Sequence, residues 1–288
     1  MNAAFVVSPR PDGLEMVVRG PWSADAADAC RAQYVENLVL NHGLGFEEPD
    51  LEFLRDLPVR RLTVIARWLA SLDPIHTLPL ESLQLVTDPK LPIDLRRLPH
   101  LTRLSADWRQ VRATVSHGTL LEDLYLGRYS EPNLLPLATS PQLTRLVMKD
   151  RPRLTSLQGL ENFSSLTTLG IQLASFLTDF SALRTAQSLR ELQLESCRHL
   201  TNLDDLINLH AVEYLNLGDC REIATAAPLR HLTNLRTLHL YGTTNFLDGD
   251  LTPLTALPHL TDLRLQNRRH YSPKATDIRH VRGEAGSQ

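Results

Sequence analysis

Aliphatic side chains recur along this chain in one short unit: an aliphatic residue, two variable residues, an aliphatic, one variable residue, an aliphatic. The unit is plainest at Leu166-Leu169-Ile171, Leu189-Leu192-Leu194, Val212-Leu215-Leu217 and Leu235-Leu238-Leu240, whose first members stand 23 residues apart, and Leu260-Leu263-Leu265 follows after 25. Traced backwards it runs through Leu143-Leu146-Met148, Leu121-Leu124-Leu126, Leu101-Leu104-Ala106, Leu80-Leu83-Leu85, Val59-Leu62-Val64 and Val35-Leu38-Leu40. Eleven copies at spacings of 20 to 25 residues mark an internal repeat, which bounds every later inference about fold.

The second and third aliphatic positions are two apart, so on a strand they share one face, and the variable residue between them points to the other. After each strand the rhythm changes to three: Leu154, Leu157, Leu160 and Phe163; Leu177, Phe180, Leu183 and Ala186; Leu200, Leu203, Leu206 and Leu209. A period of three predicts short 3₁₀ turns better than an α-helix. Each unit is then a strand, a bend and a compact return, and it buries its apolar face only by stacking on its neighbours.

The ends read differently. Phe5 to Ser8 and Leu14 to Arg19 flank Pro9-Arg10-Pro11-Asp12-Gly13, a hairpin signal, and Ser23 is placed to N-cap a short helix from Ala24 to about Gln33. Residues 1–34 are expected to form an amino-terminal cap, 35–267 the repeat domain, and 268–288 a carboxyl-terminal cap followed by a mobile tail at 281–288.

The strand units resemble the leucine-rich-repeat consensus. Where that consensus often carries Asn or Cys, three residues past the third aliphatic, this chain has Cys197 and Cys220 in consecutive copies, with Arg151, Ala174 and Thr243 in others. The resemblance implies an α/β solenoid: a horseshoe with a parallel concave sheet, about eleven repeats, and 3₁₀ or short turns on the convex side. The segment Thr244 to Leu251 with Gln266 to Ser272 is similar to the ending of a largely uncharacterised group of bacterial leucine-rich-repeat proteins, and the repeats are similar to the sensor portions of bacterial nucleotide-binding signalling proteins. Fold alone implies little about function.

Composition narrows the classes. Hydrophobic residues make up 42% and charged residues 22%, the formal net charge is −3 and the pI about 6.4, so a general affinity for nucleic acid is disfavoured. The apolar run Ala3 to Val7 is too short for a signal peptide, and no stretch reaches membrane-spanning length. Cys30, Cys197 and Cys220 do not make a disulfide framework. We therefore expect a cytoplasmic monomer without a membrane or a cofactor.

The chemistry-bearing residues are few. Cys197 and Cys220, one repeat apart, read as a buried thiol ladder, with a disulfide or a metal site shared with His199 as the rival readings. Asp248-Gly249-Asp250 reads as a closing turn, with a partner contact or a cation site as alternatives. Asn267, Arg268, Arg269, His270 and Tyr271 form either a cap or a carboxylate- or phosphate-binding site.

The largest candidate is the sheet face itself. Its central column runs Val39, Thr63, Gln84, Ser105, Tyr125, Val147, Gly170, Gln193, Asn216, His239 and Arg264. Two clusters carry the aromatic and Arg side chains that dominate binding hot spots: Arg103, Asp107, Trp108, Tyr125, Arg128 and Arg145; and Tyr214, His239, Tyr241 and Arg264. With no nucleophile elbow, zinc-protease, phosphate-loop or dinucleotide pattern present, the expected function is a non-catalytic scaffold for another protein, such as a bacterial regulator or neutraliser of its partner. The alternatives are a sensor or ligand-recognition segment, a nucleic-acid binder through Arg60, Arg61, Arg67, Arg96, Arg97, Arg103 and Arg109, and an enzyme using His239, Asp248, Asp250 and His270.

Overall fold

The computed structural model describes residues 4–55 and 57–278. The chain forms two compact units, one ending at Gly127 and one beginning at Arg128. The expected mobile tail lies outside the described residues.

In the first unit, β1 (Phe5–Arg10) and β2 (Gly13–Val18) form an antiparallel hairpin, and β2 adds in parallel to β3 (Asn37–Asn41). The parallel ladder continues through β4 (Arg61–Ile65), β5 (Ser82–Val86), β6 (Arg103–Asp107) and β7 (Asp123–Gly127). Between β2 and β3 lies α1 (Ala24–Ala32). The Ser23 hydroxyl caps it by accepting the Ala26 N–H at 3.1 Å, and Ala26 and Cys30 are its buried residues. A short helical turn, α2 (Trp108–Val111), follows β6 directly.

In the second unit, β8 (Arg145–Lys149), β9 (Thr168–Gln172), β10 (Glu191–Glu195) and β11 (Tyr214–Asn216) pair in parallel, and the ladder continues to β13 (Thr237–Leu240) and β15 (Asp262–Leu265). The two-residue strands β12 (Glu222–Ile223) and β14 (Asn245–Phe246) pair separately, and α3 (Thr252–Thr255) precedes β15. All eleven repeat units therefore carry a strand, and each strand begins two residues after the first aliphatic of its unit. The second and third aliphatics are buried throughout, as Leu215, Leu217, Leu238 and Leu240 illustrate.

The period-three segments form 3₁₀ turns, among them Leu160–Asn162, Ser181–Thr185 and Asp204–Leu206. A second regularity lies between strand and return. Asp150, Leu173, Ser196, Asp219 and Gly242, spaced 23 residues apart, all have left-handed backbone with φ from 57° to 66°. This residue swings the chain off the strand. It also ties neighbouring rungs together: Leu173 N–H donates to Glu195 O at 2.9 Å, Ser196 N–H to Gly218 O at 2.8 Å and Asp219 N–H to Tyr241 O at 3.1 Å. Four of the five lack glycine's freedom and carry the cost of a Cβ in this region.

The cysteines are buried free thiols. The Cys220 thiol donates to Leu194 O at 2.7 Å, and the Cys197 thiol lies 3.8 Å from Ile171 O. Thr244 continues the series, donating its hydroxyl to Leu217 O at 2.6 Å while accepting the Cys220 N–H at 3.0 Å. The position expected for Thr243 is thus filled by the next residue, and Thr243 is exposed. Burial pushes the Cys220 thiol up to about 12 and raises that of Cys197 as well, so both remain protonated donors to carbonyls rather than thiolate ligands. Among the described residues no group of three His, Cys, Asp or Glu is placed to hold a metal ion, and no helix is long and apolar enough to cross a membrane.

Candidate interaction face

Because the strands of each unit are stacked in register, side chains of the variable column sit side by side. In the first unit Val39, Thr63, Gln84, Ser105 and Tyr125 are consecutive partners; in the second, Val147, Gly170, Gln193, Asn216, His239 and Arg264 are. The neighbouring column places Arg61, Ser82, Arg103 and Asp123 together in one unit, and Thr168, Glu191, Tyr214, Thr237 and Asp262 in the other.

Of the cluster expected around Arg103, Asp107 and Trp108 are turned inward. Arg103 is exposed and Tyr125 half-buried on neighbouring strands of the first unit, whereas Arg128 and Arg145, both exposed, belong to the second, where Arg145 lies 3.9 Å from Glu191. Trp108 corrects its expected placement on the open face: its side chain is only 2% exposed and belongs to the core. The reason is local. Asp107 accepts the Arg109 N–H at 3.0 Å and Gln110 Oε1 accepts the Asp107 N–H at 3.2 Å, a capping box that starts α2 directly after the strand and turns Trp108 inward. Asp107 is itself buried as that cap.

The second cluster is assembled on β11, β13 and β15. With its proton on Nε2, the tautomer its partners favour, His239 donates to Asp262 Oδ2 at 3.3 Å, and its Nδ1 accepts from the Tyr214 hydroxyl at 3.1 Å. Arg264 Nη2 lies 3.3 Å from the same Asp262 oxygen. The Tyr214 ring meets the His239 ring edge-on at 5.2 Å between centroids, and the Tyr241 ring lies 6.3 Å beyond His239. Asn216 Nδ2 donates to the Tyr241 hydroxyl at 3.3 Å, while Asn216 Oδ1 accepts the Gly218 N–H at 2.9 Å. Gly218 makes room for Tyr241: a Cβ there would stand 2.5 Å from the tyrosine ring.

Electrostatics follow from this packing. Burial raises the Tyr214 and Tyr241 hydroxyls above the ordinary phenol value, and the carboxylates nearby, Glu195 for both and Glu191 for Tyr214, add to the effect. Burial acts to raise Asp262, but hydrogen bonds from His239 and Arg264 outweigh it and leave that carboxyl below its usual range. Glu191 also accepts from Gln193 Nε2 and, at 3.4 Å, from Thr168 Oγ1. Glu195 is a member of the site that the sequence reading did not single out. The signal for it was parity alone, two and four residues beyond Gln193 and Glu191 on one strand face.

The carboxyl-terminal residues turn their bonds onto the chain itself. Arg268 Nη2 donates to Thr244 O at 3.1 Å and lies 3.3 Å from Gly242 O. His270 Nε2 meets Phe246 O at 2.9 Å, and the buried Tyr271 hydroxyl accepts the Phe246 N–H at 3.0 Å and lies 3.2 Å from Asn245 Oδ1. Asp248 and Asp250 close successive turns by accepting the N–H groups of Asp250 and Thr252 at 3.1 and 2.8 Å. Asn267 and Arg269 are exposed on the surface. Of the seven arginines considered for nucleic acid, four face carboxylates: Arg60 to Glu81, Arg61 to Asp12 and Glu36, Arg96 to Asp94, and Arg97 to Asp73.

No protein-family model matches the sequence, and no curated protein matches it. Solved structures do resemble it. An internalin of Listeria monocytogenes aligns with a TM-score of 0.63 and 19% identity over 85% of this chain and 73% of that one. A leucine-rich-repeat protein of Leptospira interrogans aligns with a TM-score of 0.58 and 20% identity over 86% of this chain and 70% of that one. TLR13, in its complex with ssRNA13, aligns with a TM-score of 0.54 and 17% identity over 83% of this chain and 38% of that one. Together with the eleven in-register strands and their 3₁₀ returns, this likeness establishes that the chain has the leucine-rich-repeat fold.

Proposed function

We propose that the chain is a non-catalytic scaffold that holds another protein on the open sheet face of its second unit. The observation that carries this reading is the joined cluster of Tyr214, Asn216, His239, Tyr241 and Arg264 on consecutive rungs. Aromatic and arginine side chains held in place by their neighbours offer large contact area with little rotamer freedom left to lose, the character of interface hot spots. The described parts of the two ends, residues 4–34 and 268–278, serve in this reading as caps that close the repeat array.

Bonding within the chain supports a binding rather than a catalytic role. His239 has both ring nitrogens engaged, Asp248 and Asp250 shape turns, and His270 bonds a backbone carbonyl. The carboxylates paired with Arg60, Arg61, Arg96 and Arg97 weaken the case for a basic nucleic-acid surface on the first unit. The test is affinity capture from extract of the source cells, comparing the wild type with Tyr214→Ala/Tyr241→Ala and with Gln84→Ala. A protein retained by the wild type and by Gln84→Ala, but lost from the double variant, is the expected result. A partner retained equally by all three would overturn the choice of face.

A further inference from the structure

The open face of the second unit is charged unevenly along its strands: β8 carries Arg145 and Lys149, with Arg145 3.9 Å from Glu191. On the outward sides of β10, β11, β13 and β15 the charged residues are Glu191, Glu195, Asp262 and Arg264: three acids against one base. The base is already paired, with Arg264 3.3 Å from Asp262. Between the acids stand Tyr214, His239 and Tyr241, with the His239 ring 5.2 and 6.3 Å from its two neighbours. The end of this face widens into a depression beside β15, lined by Tyr241, Gly242, Asp262, Arg264 and Gln266.

Resting on the scaffold reading above, we propose that this face recognises an arginine side chain presented by the partner protein, stacked on the tyrosine rings and paired with Glu195. The chemistry selects this ligand in three steps. The local excess of acids on β10, β11, β13 and β15 disfavours phosphates and acidic peptides there and attracts cations. Aromatic faces attract cations further through their quadrupoles, and half-buried rings strengthen that attraction. A planar guanidinium can stack on a ring and still direct its donors to a carboxylate, which a compact ammonium cannot do as well. The fixed hydroxyls of Tyr214 and Tyr241, held by His239 and Asn216, leave the rings pre-ordered for such stacking.

The test uses the full chain and fluorescently labelled peptides of alternating glycine with arginine, lysine or glutamate, together with a single-stranded RNA oligonucleotide, followed by anisotropy at low and physiological salt. The arginine peptide is expected to bind most tightly, the lysine peptide at least about threefold more weakly and the glutamate peptide and RNA not measurably. Tyr241→Ala and the isosteric Glu195→Gln should each weaken the arginine peptide about tenfold, the size of effect expected for losing one cation–π or charged contact of about 1.4 kcal/mol. Gln84→Ala in the first unit should leave it unchanged. Circular dichroism of each variant separates loss of binding from loss of fold. Glutamate peptide or RNA binding as tightly as the arginine peptide would overturn the proposal, as would equal arginine and lysine affinities or an arginine affinity untouched by Glu195→Gln. Should a partner be captured through Tyr214 and Tyr241 while the arginine peptide fails to bind, the scaffold reading stands and the arginine reading falls.

Discussion

The open faces of the two units are made from the same strand positions and are used differently. In the first unit the central column is Val39, Thr63, Gln84, Ser105 and Tyr125, and Arg61 in the neighbouring column works inward. Arg61 donates to Asp12 O at 2.8 Å, to Glu36 at 3.2 Å and to Asn37 at 3.4 Å, which fastens the Pro11-Asp12-Gly13 turn of the hairpin to the sheet. In the second unit the same column holds Asn216, His239 and Arg264, and the neighbouring column adds Tyr214 and Asp262. The aliphatic positions differ little between units because each must fill a stacked core, while the outward positions are released from packing. One unit uses that freedom to hold its own amino-terminal hairpin, and the other displays an aromatic and acidic surface.

Six variants sharpen this contrast, from large effects to small. Core truncation should not distinguish the units: Leu62→Ala in one and Leu215→Ala or Leu238→Ala in the other should each destabilise by about 2–5 kcal/mol in urea unfolding, through a cavity at a fully buried site. A neutral result at Leu215 and Leu238 would contradict their inward assignment. Outward substitutions should separate the units. Arg61→Ala should lower stability by about 1–3 kcal/mol, since its hydrogen bonds involve charged groups, and should speed hydrogen exchange in β1. Tyr214→Phe, which removes only the hydroxyl bonded to His239, should lower stability by no more than about 1 kcal/mol. Equal losses for the two would erase the distinction between a face that fastens the chain and one that displays a surface. A smaller gain is expected at the left-handed row: Leu173 is 45% exposed at φ 61°, so Leu173→Asn should stabilise by about 1 kcal/mol.

The first unit also carries a pH signature at a buried histidine. His76 accepts the Asp94 N–H on Nε2 at 2.9 Å, and its Nδ1 lies 3.1 Å from Asp73 O. Burial lowers its pKa from the usual 6.5, with Arg97 acting in the same direction and Asp73 and Asp94 against it. The unfolded chain therefore takes up the proton first as pH falls. Stability from this residue is complete above about pH 6.5 and declines below it until the folded imidazole also titrates. The carboxylates around it lose their contribution only at lower pH: hydrogen bonding to Arg96 holds Asp94 down to about 2. Urea midpoints between pH 8 and 5 should fall for the wild type and fall less for His76→Gln; identical slopes would remove His76 as the cause.

How much of this was legible follows from what packing dictates. The eleven strands, the 3₁₀ returns, the amino-terminal hairpin and the Ser23 cap could be read because buried aliphatics, turn residues and caps leave a local signature. Trp108, expected on the sheet face, lies inward because Asp107 and Gln110, three residues apart, form the capping box that starts α2, a local signal that the repeat register does not carry. The left-handed row leaves little signature because Asp150, Leu173, Ser196 and Asp219 occupy it without glycine, and only Gly242 advertises it. On the face, register identified Tyr214, His239 and Arg264 as neighbours, since it follows from the repeat. It could not show that Gly218 lets Tyr241 lie over the sheet or that Glu195 joins the site, because those depend on rotamers set between rungs.

The central claim is that the partner lies on the second unit's open face. Site-specific photocrosslinking in the source cells tests it most directly, with p-benzoyl-phenylalanine placed singly at Tyr241, at Arg264, at Gln84 on the first unit's open face and at Thr185 on a 3₁₀ return. A shared protein adduct at Tyr241 and Arg264, absent at Gln84 and Thr185, is the expected result; adducts only at Gln84 or Thr185, or none at Tyr241 and Arg264, would contradict it.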